Sequence, residues 1–197
     1  PLSKVLRLWK GLGYNSRAKR LQDACKKIVN NHNSIVPQTA EELEKLPGIG
    51  PYTARSILIF ADNKDIATVD TNIRRIFIAE FELNEKVSDK ELFALAEKLL
   101  PKGQSRDWHN ALMDYGSLVL TSKSTGIKPK TKQSTFKGSH REYRAKILHH
   151  IVEKGTLSAS EANNTYGNSP TPPEDILKEL ETEELIEQKD EKTYISK

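Results

Sequence analysis

The sequence predicts an all-helical protein that ends in a small helix, helix, helix, hairpin module, on three observations. Apolar residues recur at three- and four-residue spacing up to Leu120, alternating β-branched runs are nearly absent, and Gly and Pro break the pattern at short intervals. With 197 residues, 36% of them apolar, the chain can bury one core or one core plus a smaller second one.

Leu2, Val5, Leu6 and Trp9 line one face of a first helix, which Gly11 and Gly13 stop. Ser16 to Asn30 repeats the pattern with Leu21, Ala24, Cys25 and Ile28 as its inward face. Thr39 and Glu42 have the spacing of a capping box and open a short helix that ends before Pro47. Further helices are predicted over Tyr52 to Ala61, Thr71 to Glu80, Asp89 to Leu99 and Trp108 to Leu120, with Trp108 as core and His109 as surface. From Thr121 to Lys137 the apolar signal gives way to Ser, Thr, Gly, Pro and five lysines with no acid, the composition of a linker. Arg141 to Glu153 is amphipathic through Tyr143, Ile147 and Ile151. Ser158 to Thr165 and Pro172 to Glu184 read as two more helices, and Leu185 to Ser196 as two strand-like pieces around Asp190 and Glu191. That order is the order of a winged helix. The predicted domains are therefore 1–122, a basic linker 123–138, and 139–197.

Several classes are excluded at once. No apolar run reaches the ~18 residues of a membrane span and no secretory leader opens the sequence, so a soluble, cytoplasmic protein is expected. One cysteine, Cys25, forbids an internal disulfide, a zinc knuckle and an all-cysteine iron–sulfur cluster. His149 and His150 are adjacent on a helix, point apart and lack partners at ligand spacing, which gives them structural roles. Charge is unevenly spread: Pro1 to Lys137 holds 23 Lys and Arg against 15 Asp and Glu, and the rest 8 against 12. The basic part suits a polyanion such as DNA or, equally, a solvated surface.

The most informative stretch is Leu46-Pro47-Gly48-Ile49-Gly50-Pro51-Tyr52-Thr53-Ala54, inside a helical hairpin over 39–61. Two glycines let the backbone approach a ligand closely, and the amides at the start of the next helix suit a phosphate. A plain tight turn uses the same residues. Asp70, at the start of a helix, is either its N-cap or a carboxylate aimed at positive charge developing on a sugar.

These segments resemble the helix-hairpin-helix DNA glycosylases, which include endonuclease III. The hairpin is followed at the family spacing by Val69-Asp70-Thr71-Asn72, and Trp9-Lys10-Gly11-Leu12-Gly13-Tyr14 resembles the MutY-type adenine DNA glycosylases. The resemblance covers Pro1 to about Leu120. It implies base-excision repair: hydrolysis of the N-glycosidic bond of adenine mispaired with 8-oxoguanine, in double-stranded DNA, by a monomer located at the nucleoid. Asp70 would be the catalytic carboxylate, with Tyr52 and Asn72 lining the pocket. Tyr52 stands where strand-cutting members carry a nucleophilic lysine, which implies a monofunctional enzyme. Tyr14 would wedge into the duplex, Gly48, Ile49, Gly50 and Thr53 would hold the strand, and carbonyls of Glu44, Leu46 and Ile49 would bind a monovalent cation.

Three departures accompany the resemblance. The glutamate that protonates adenine would lie upstream of Pro1, so the sequence reads as N-terminally incomplete. Leu120 stands at the first of four cluster-binding cysteines and none follow, so no iron–sulfur cluster is expected. The terminal module carries Glu174, Asp175, Glu179, Glu181, Glu183 and Glu184 against Lys178 on its last helix, a face that repels phosphate and suits protein contact or packing. A T·G thymine glycosylase and a non-catalytic DNA-binding hairpin are the alternatives.

Overall fold

The computed structural model describes residues 1–131, 134–189 and 192–196. In chain order the elements are α1 (Leu2–Leu8), α2 (Ser16–Asn31), α3 (Ala40–Leu43), α4 (Pro51–Asp62), α5 (Thr71–Glu80), α6 (Asp89–Leu99), α7 (Ser105–Leu118) and α8 (Ser122–Thr125). Then come α9 (His140–Lys154), β1 (Leu157–Ser158), α10 (Ala159–Tyr166), α11 (Pro173–Thr182), β2 (Ile186–Lys189) and β3 (Lys192–Ile195). The mainly helical reading holds, with each predicted helix present within a few residues.

Contacts group the chain into two compact units, Pro1–Asn30 with Gln133–Lys197, and Asn31–Lys132. This grouping does not follow the linear division at 122 and 138, for a packing reason. Leu2 and Leu6 of α1 and Ala18 of α2 are buried in one core with Ile147, Leu148 and Ile151 of α9 and Ile176 and Leu180 of α11. Each such side chain removed from water contributes roughly 1.5–3 kcal/mol, so the two N-terminal helices are held by the terminal module.

In that first unit, β3 pairs antiparallel with both β1 and β2, Thr193 lying opposite Leu157 and Gln188. The helix, helix, helix, hairpin order is as predicted, with β1 as an added edge strand; the expected turn at Asp190 and Glu191 lies outside the described residues. The acidic residues of α11 and its end are largely occupied inside this unit: Glu179 pairs with His140, Glu183 with Arg144 and Glu184 with Lys19. One predicted face differs. On α2, Ala18 and Ala24 are buried, but Leu21 is 51% exposed and Cys25 is exposed as well. The helix turns its small residues inward.

The second unit builds its core from Ile73, Ile76 and Phe77 of α5 and Leu92 and Ala96 of α6, with Trp108 and Leu112 of α7 against them. Ser88 and Glu91 form a reciprocal capping box at the start of α6. Part of the predicted linker is ordered here: Thr121 caps α8, Ile127 is buried and Lys130 pairs with Asp89. Among the described residues, no helix is long and apolar enough to cross a membrane.

Candidate active site

The hairpin is built as its sequence requires. Thr39 accepts a hydrogen bond from the Glu42 amide at 3.3 Å and opens α3. Leu43 and Leu46 are buried, anchoring the turn from inside. The Ile49 amide donates to the Leu46 carbonyl at 3.2 Å. Gly48 sits at φ +75°, a conformation that favours glycine, whereas Gly50 is extended at φ −100° and caps α4 with no side chain. Pro51 takes the first turn, so the open donors there are the amides of Tyr52 and Thr53. A Cβ built on Gly50 meets nothing within 4 Å, so the space in front of this helix end is clear.

Asp70 is the N-cap of α5. Its Oδ1 accepts from the Ile73 amide at 2.7 Å, and its other oxygen accepts no hydrogen bond among the described residues. The segment that leads to it is fixed from several sides. Ser105 Oγ donates to the Ile66 carbonyl at 3.0 Å, Arg55 donates to the Ala67 carbonyl at 3.0 Å, and the Thr68 amide donates to His109 Nε2 at 3.1 Å. A cleft of about 600 Å³ opens beside Asp70, lined also by Tyr52, Arg74, Phe93 and Lys130. Tyr52, 45% exposed, faces this space from the first turn of α4. Arg74 is buried, donates to the Glu85 carbonyl, and leaves Nε without a partner among the described residues. A carboxylate, a phenol and cations thus share one partly enclosed space.

Of the predicted catalytic set, Asp70 and Tyr52 meet in this cleft and Asn72 does not. Asn72 packs toward Gly116 of α7, and its Oδ1 accepts from Arg75 of its own helix at 2.7 Å. Gly48, Ile49, Gly50 and Thr53 lie on the hairpin of the same unit, as do the carbonyls of Glu44, Leu46 and Ile49. Among the described residues, no group of three or more His, Cys, Asp or Glu side chains is placed to hold a metal ion. Tyr14 belongs to the other unit. It is 56% exposed at φ +48°, a left-handed conformation uncommon for a residue with a side chain. Trp9 Nε1 supports that loop by donating to the Gly13 carbonyl at 2.9 Å.

Comparison with known proteins agrees with this geometry. The helix-hairpin-helix motif family matches residues 31–60, the segment that holds the turn and most of α4. The adenine DNA glycosylase of Mycolicibacterium smegmatis is 29% identical over 94% of this chain and 71% of its own length. The human adenine DNA glycosylase is 31% identical over 81% of this chain and 29% of its own. Among solved structures, a thermostable thymine-DNA glycosylase matches with a TM-score of 0.55 and 32% identity, over 66% of this chain and 60% of that one. The chain is thus similar to helix-hairpin-helix DNA glycosylases along the matched segments. A non-covalent endonuclease III–DNA complex, 24% identical with a TM-score of 0.56, shares the fold. Apart from the mycobacterial protein, this glycosylase-fold chain spans well under half the length of the curated relatives it matches, 34% of the one from Buchnera aphidicola.

Sequence reasoning missed three supports of this cleft. His109, read as a surface residue, is fully buried and holds the Asp70 segment. Arg75 is buried at the end of α7, donating to the carbonyls of Gly116 and Leu120. Lys130, read as part of a linker, lines the cleft. The first two follow α5 and α7 periodicity onto the inner face, where a polar residue implies a buried acceptor; nothing local marks the third.

Proposed function

We propose that this chain forms the sugar-facing and strand-holding part of a monofunctional adenine DNA glycosylase, acting on adenine opposite 8-oxoguanine or guanine in duplex DNA. The observation that carries the reading is Asp70, with one oxygen committed to the α5 cap and the other left for the cleft that Tyr52 faces. The adenine nucleotide is turned out of the stack to reach that cleft. As the bond from C1′ to the base nitrogen breaks, positive charge grows on the sugar. A carboxylate about 4 Å away contributes roughly 4 kcal/mol at the effective dielectric of such a site, about a thousandfold in rate. Water adds at C1′, loses a proton, and leaves an abasic sugar plus free adenine. The phenol of Tyr52 offers no amine for a Schiff base, so the strand stays intact. By the resemblance, the acid that protonates the base would be supplied by a segment outside these residues, and carbonyls of Glu44, Leu46 and Ile49 would hold a monovalent cation that offsets phosphate charge at the hairpin.

The residues present do not fit an iron–sulfur cluster. Cys25 is the single cysteine of the sequence, and the Leu120 carbonyl, at the first cluster position, accepts from Arg75. The purified protein is expected to be colourless.

The test measures base release from duplexes holding A·8-oxoG, A·G or T·G, on residues 1–197 and on a protein that also carries a glutamate-bearing helix before Pro1. Adenine release without strand scission, lost in Asp70→Asn, supports the reading. Thymine release from T·G, with adenine left in place, favours the second reading, which the likeness to the thymine-DNA glycosylase structure suggests.

A further inference from the structure

The unit built from Pro1–Asn30 and Gln133–Lys197 has a second cleft, of about 490 Å³, that the proposed glycosylase chemistry does not use. One wall is a single face of α9, with Glu142, Lys146, His149, His150 and Glu153 at helical spacing. Lys10 joins it from the loop after α1, Phe136 stands at one edge and Tyr166 of α10 at another.

The lysines are available. Lys10 pairs with Glu153 and Lys146 with Glu142, but these pairs are about half exposed or more on the lysine side, where an ion pair contributes little and gives way to a competing anion. Lys154 makes no ion pair among the described residues. His149 makes no hydrogen bond among the described residues; burial and then the charge of Lys10 push its pKa down, so it is a neutral donor or acceptor at pH 7. The aromatic side of the cleft is anchored at its backbone, where the Phe136 carbonyl accepts from Ser139 Oγ at 2.6 Å. Phe136 is 55% exposed, yet the Arg141 guanidinium lies 6.0 Å from its ring centroid and is itself anchored to the Ser134 carbonyl at 2.6 Å. Tyr166 is held by a 2.9 Å hydrogen bond shared between its hydroxyl and His150 Nδ1.

An exposed aromatic fixed on one face, beside lysines that face the same space, is the chemistry of a single-stranded nucleic-acid site: bases stack on the ring and phosphates meet the ammonium groups. We infer that this cleft binds one or two nucleotides of single-stranded DNA, a base on Phe136 and phosphates on Lys10, Lys146 and Lys154. A duplex keeps its bases stacked on one another and cannot use Phe136. The terminal module is thereby a strand-binding element on its α9 face, although α11 is acidic.

The experiment titrates the full chain with a short labelled oligothymidylate and with a duplex of equal length, over a range of salt. Phe136→Ala is expected to weaken the single strand roughly five- to hundredfold, the worth of one stacked base, and to leave the duplex unchanged. Replacing Lys146 and Lys154 by Ala together should lower the slope of log affinity against log salt by about 0.7 for each lysine. Lys123→Ala, outside this unit, is the control. A thermal melt confirms that Phe136→Ala, which removes a mostly exposed ring, remains folded. Single-strand affinity and slope unchanged in both variants overturn the proposal, as does photocrosslinking of iodouracil oligomers to residues 31–131 only. Base release by the Asp70 cleft is scored separately, so either reading can fail without the other.

Discussion

The ring of His109 ties α7 to the segment that leads into Asp70: Nε2 accepts the Thr68 amide at 3.1 Å while Nδ1 lies 2.7 Å from the Ser105 carbonyl of its own helix. An amide needs a lone pair and a carbonyl needs a proton, so the ring is neutral with its proton on Nδ1. A second proton would set two N–H groups against each other, two residues from Asp70.

Stability should therefore fall in acid. Burial, the largest effect, lowers the His109 pKa below its ordinary value, against a smaller raising effect from its hydrogen bonds and Asp70. Because the folded state resists protonation, the unfolded chain binds more protons once pH drops below about 6.5. The contribution is present in full above that value and is lost progressively until the lower, folded pKa is passed. Urea unfolding followed from about pH 7.5 downward should show this loss, and His109→Gln, which keeps an acceptor and a donor without titrating, should flatten it. Equal slopes in both proteins would show that other groups govern the acid range.

Asp70 has two roles that substitutions separate. Asn caps helices about as well as Asp, so Asp70→Asn should leave stability within roughly 0.5 kcal/mol, while Asp70→Ala should cost roughly 0.5–2 kcal/mol. Both remove the charge toward the cleft, and both should abolish base release to the limit of about a thousandfold. Full activity in the folded Asn variant would return Asp70 to capping alone.

The two hairpin glycines should behave differently. Gly48→Ala forces a side chain into φ +75° and should destabilise the protein by about 1 kcal/mol or more. An added Cβ at Gly50 would meet no atom within 4 Å beyond its chain neighbours, so Gly50→Val should cost only the weaker capping of α4, roughly 0.5–1 kcal/mol, and leave the protein folded. Its effect should appear in duplex affinity, where the space in front of α4 is needed for a strand. Unchanged affinity in Gly50→Val would mean that DNA does not approach that helix end.

The helices and the hairpin were legible because each depends on local pattern: Thr39 and Glu42 as a cap, Gly48 at positive φ, Pro51 in a first turn. Asp70 and Tyr52 were singled out by the resemblance, Asp70 at the spacing behind the hairpin and Tyr52 within it, and both line one cleft. The direction of Asn72 was not legible, since it depends on how closely α7 approaches, through Gly116 and the carbonyls that hold Arg75, and that approach is not local. The same holds for the grouping of α1 with α9, a contact between segments about 145 residues apart, as in the hydrogen bond from Arg7 to the Val152 carbonyl. His109 was not legible because histidine has only an intermediate tendency to be buried; the fold supplies two backbone partners that make its burial favourable.

Gly116 tests how closely α5 and α7 must pack to hold Asp70. A Cβ there would lie 2.8 Å from the Asn72 Cβ and 3.2 Å from the Ile76 Cδ1. Alanine improves helix propensity by about 1 kcal/mol, but overpacking of this kind costs roughly 1–3 kcal/mol. The neighbour that must yield is the Cβ of Asn72, joined directly to the backbone of α5, rather than the end of a flexible side chain. Separation of the helices would also stretch the hydrogen bonds from Arg75 of α5 to the carbonyls of Gly116 and Leu120. The steric cost should therefore win: Gly116→Ala is expected to lower unfolding free energy by up to roughly 2 kcal/mol. Base release should fall with it, because α5 begins at Asp70 and a shift of its first turn moves the carboxylate. Urea unfolding beside single-turnover base release measures both. A Gly116→Ala protein as stable as the parent would mean that the helices part without cost and that the close approach is dispensable.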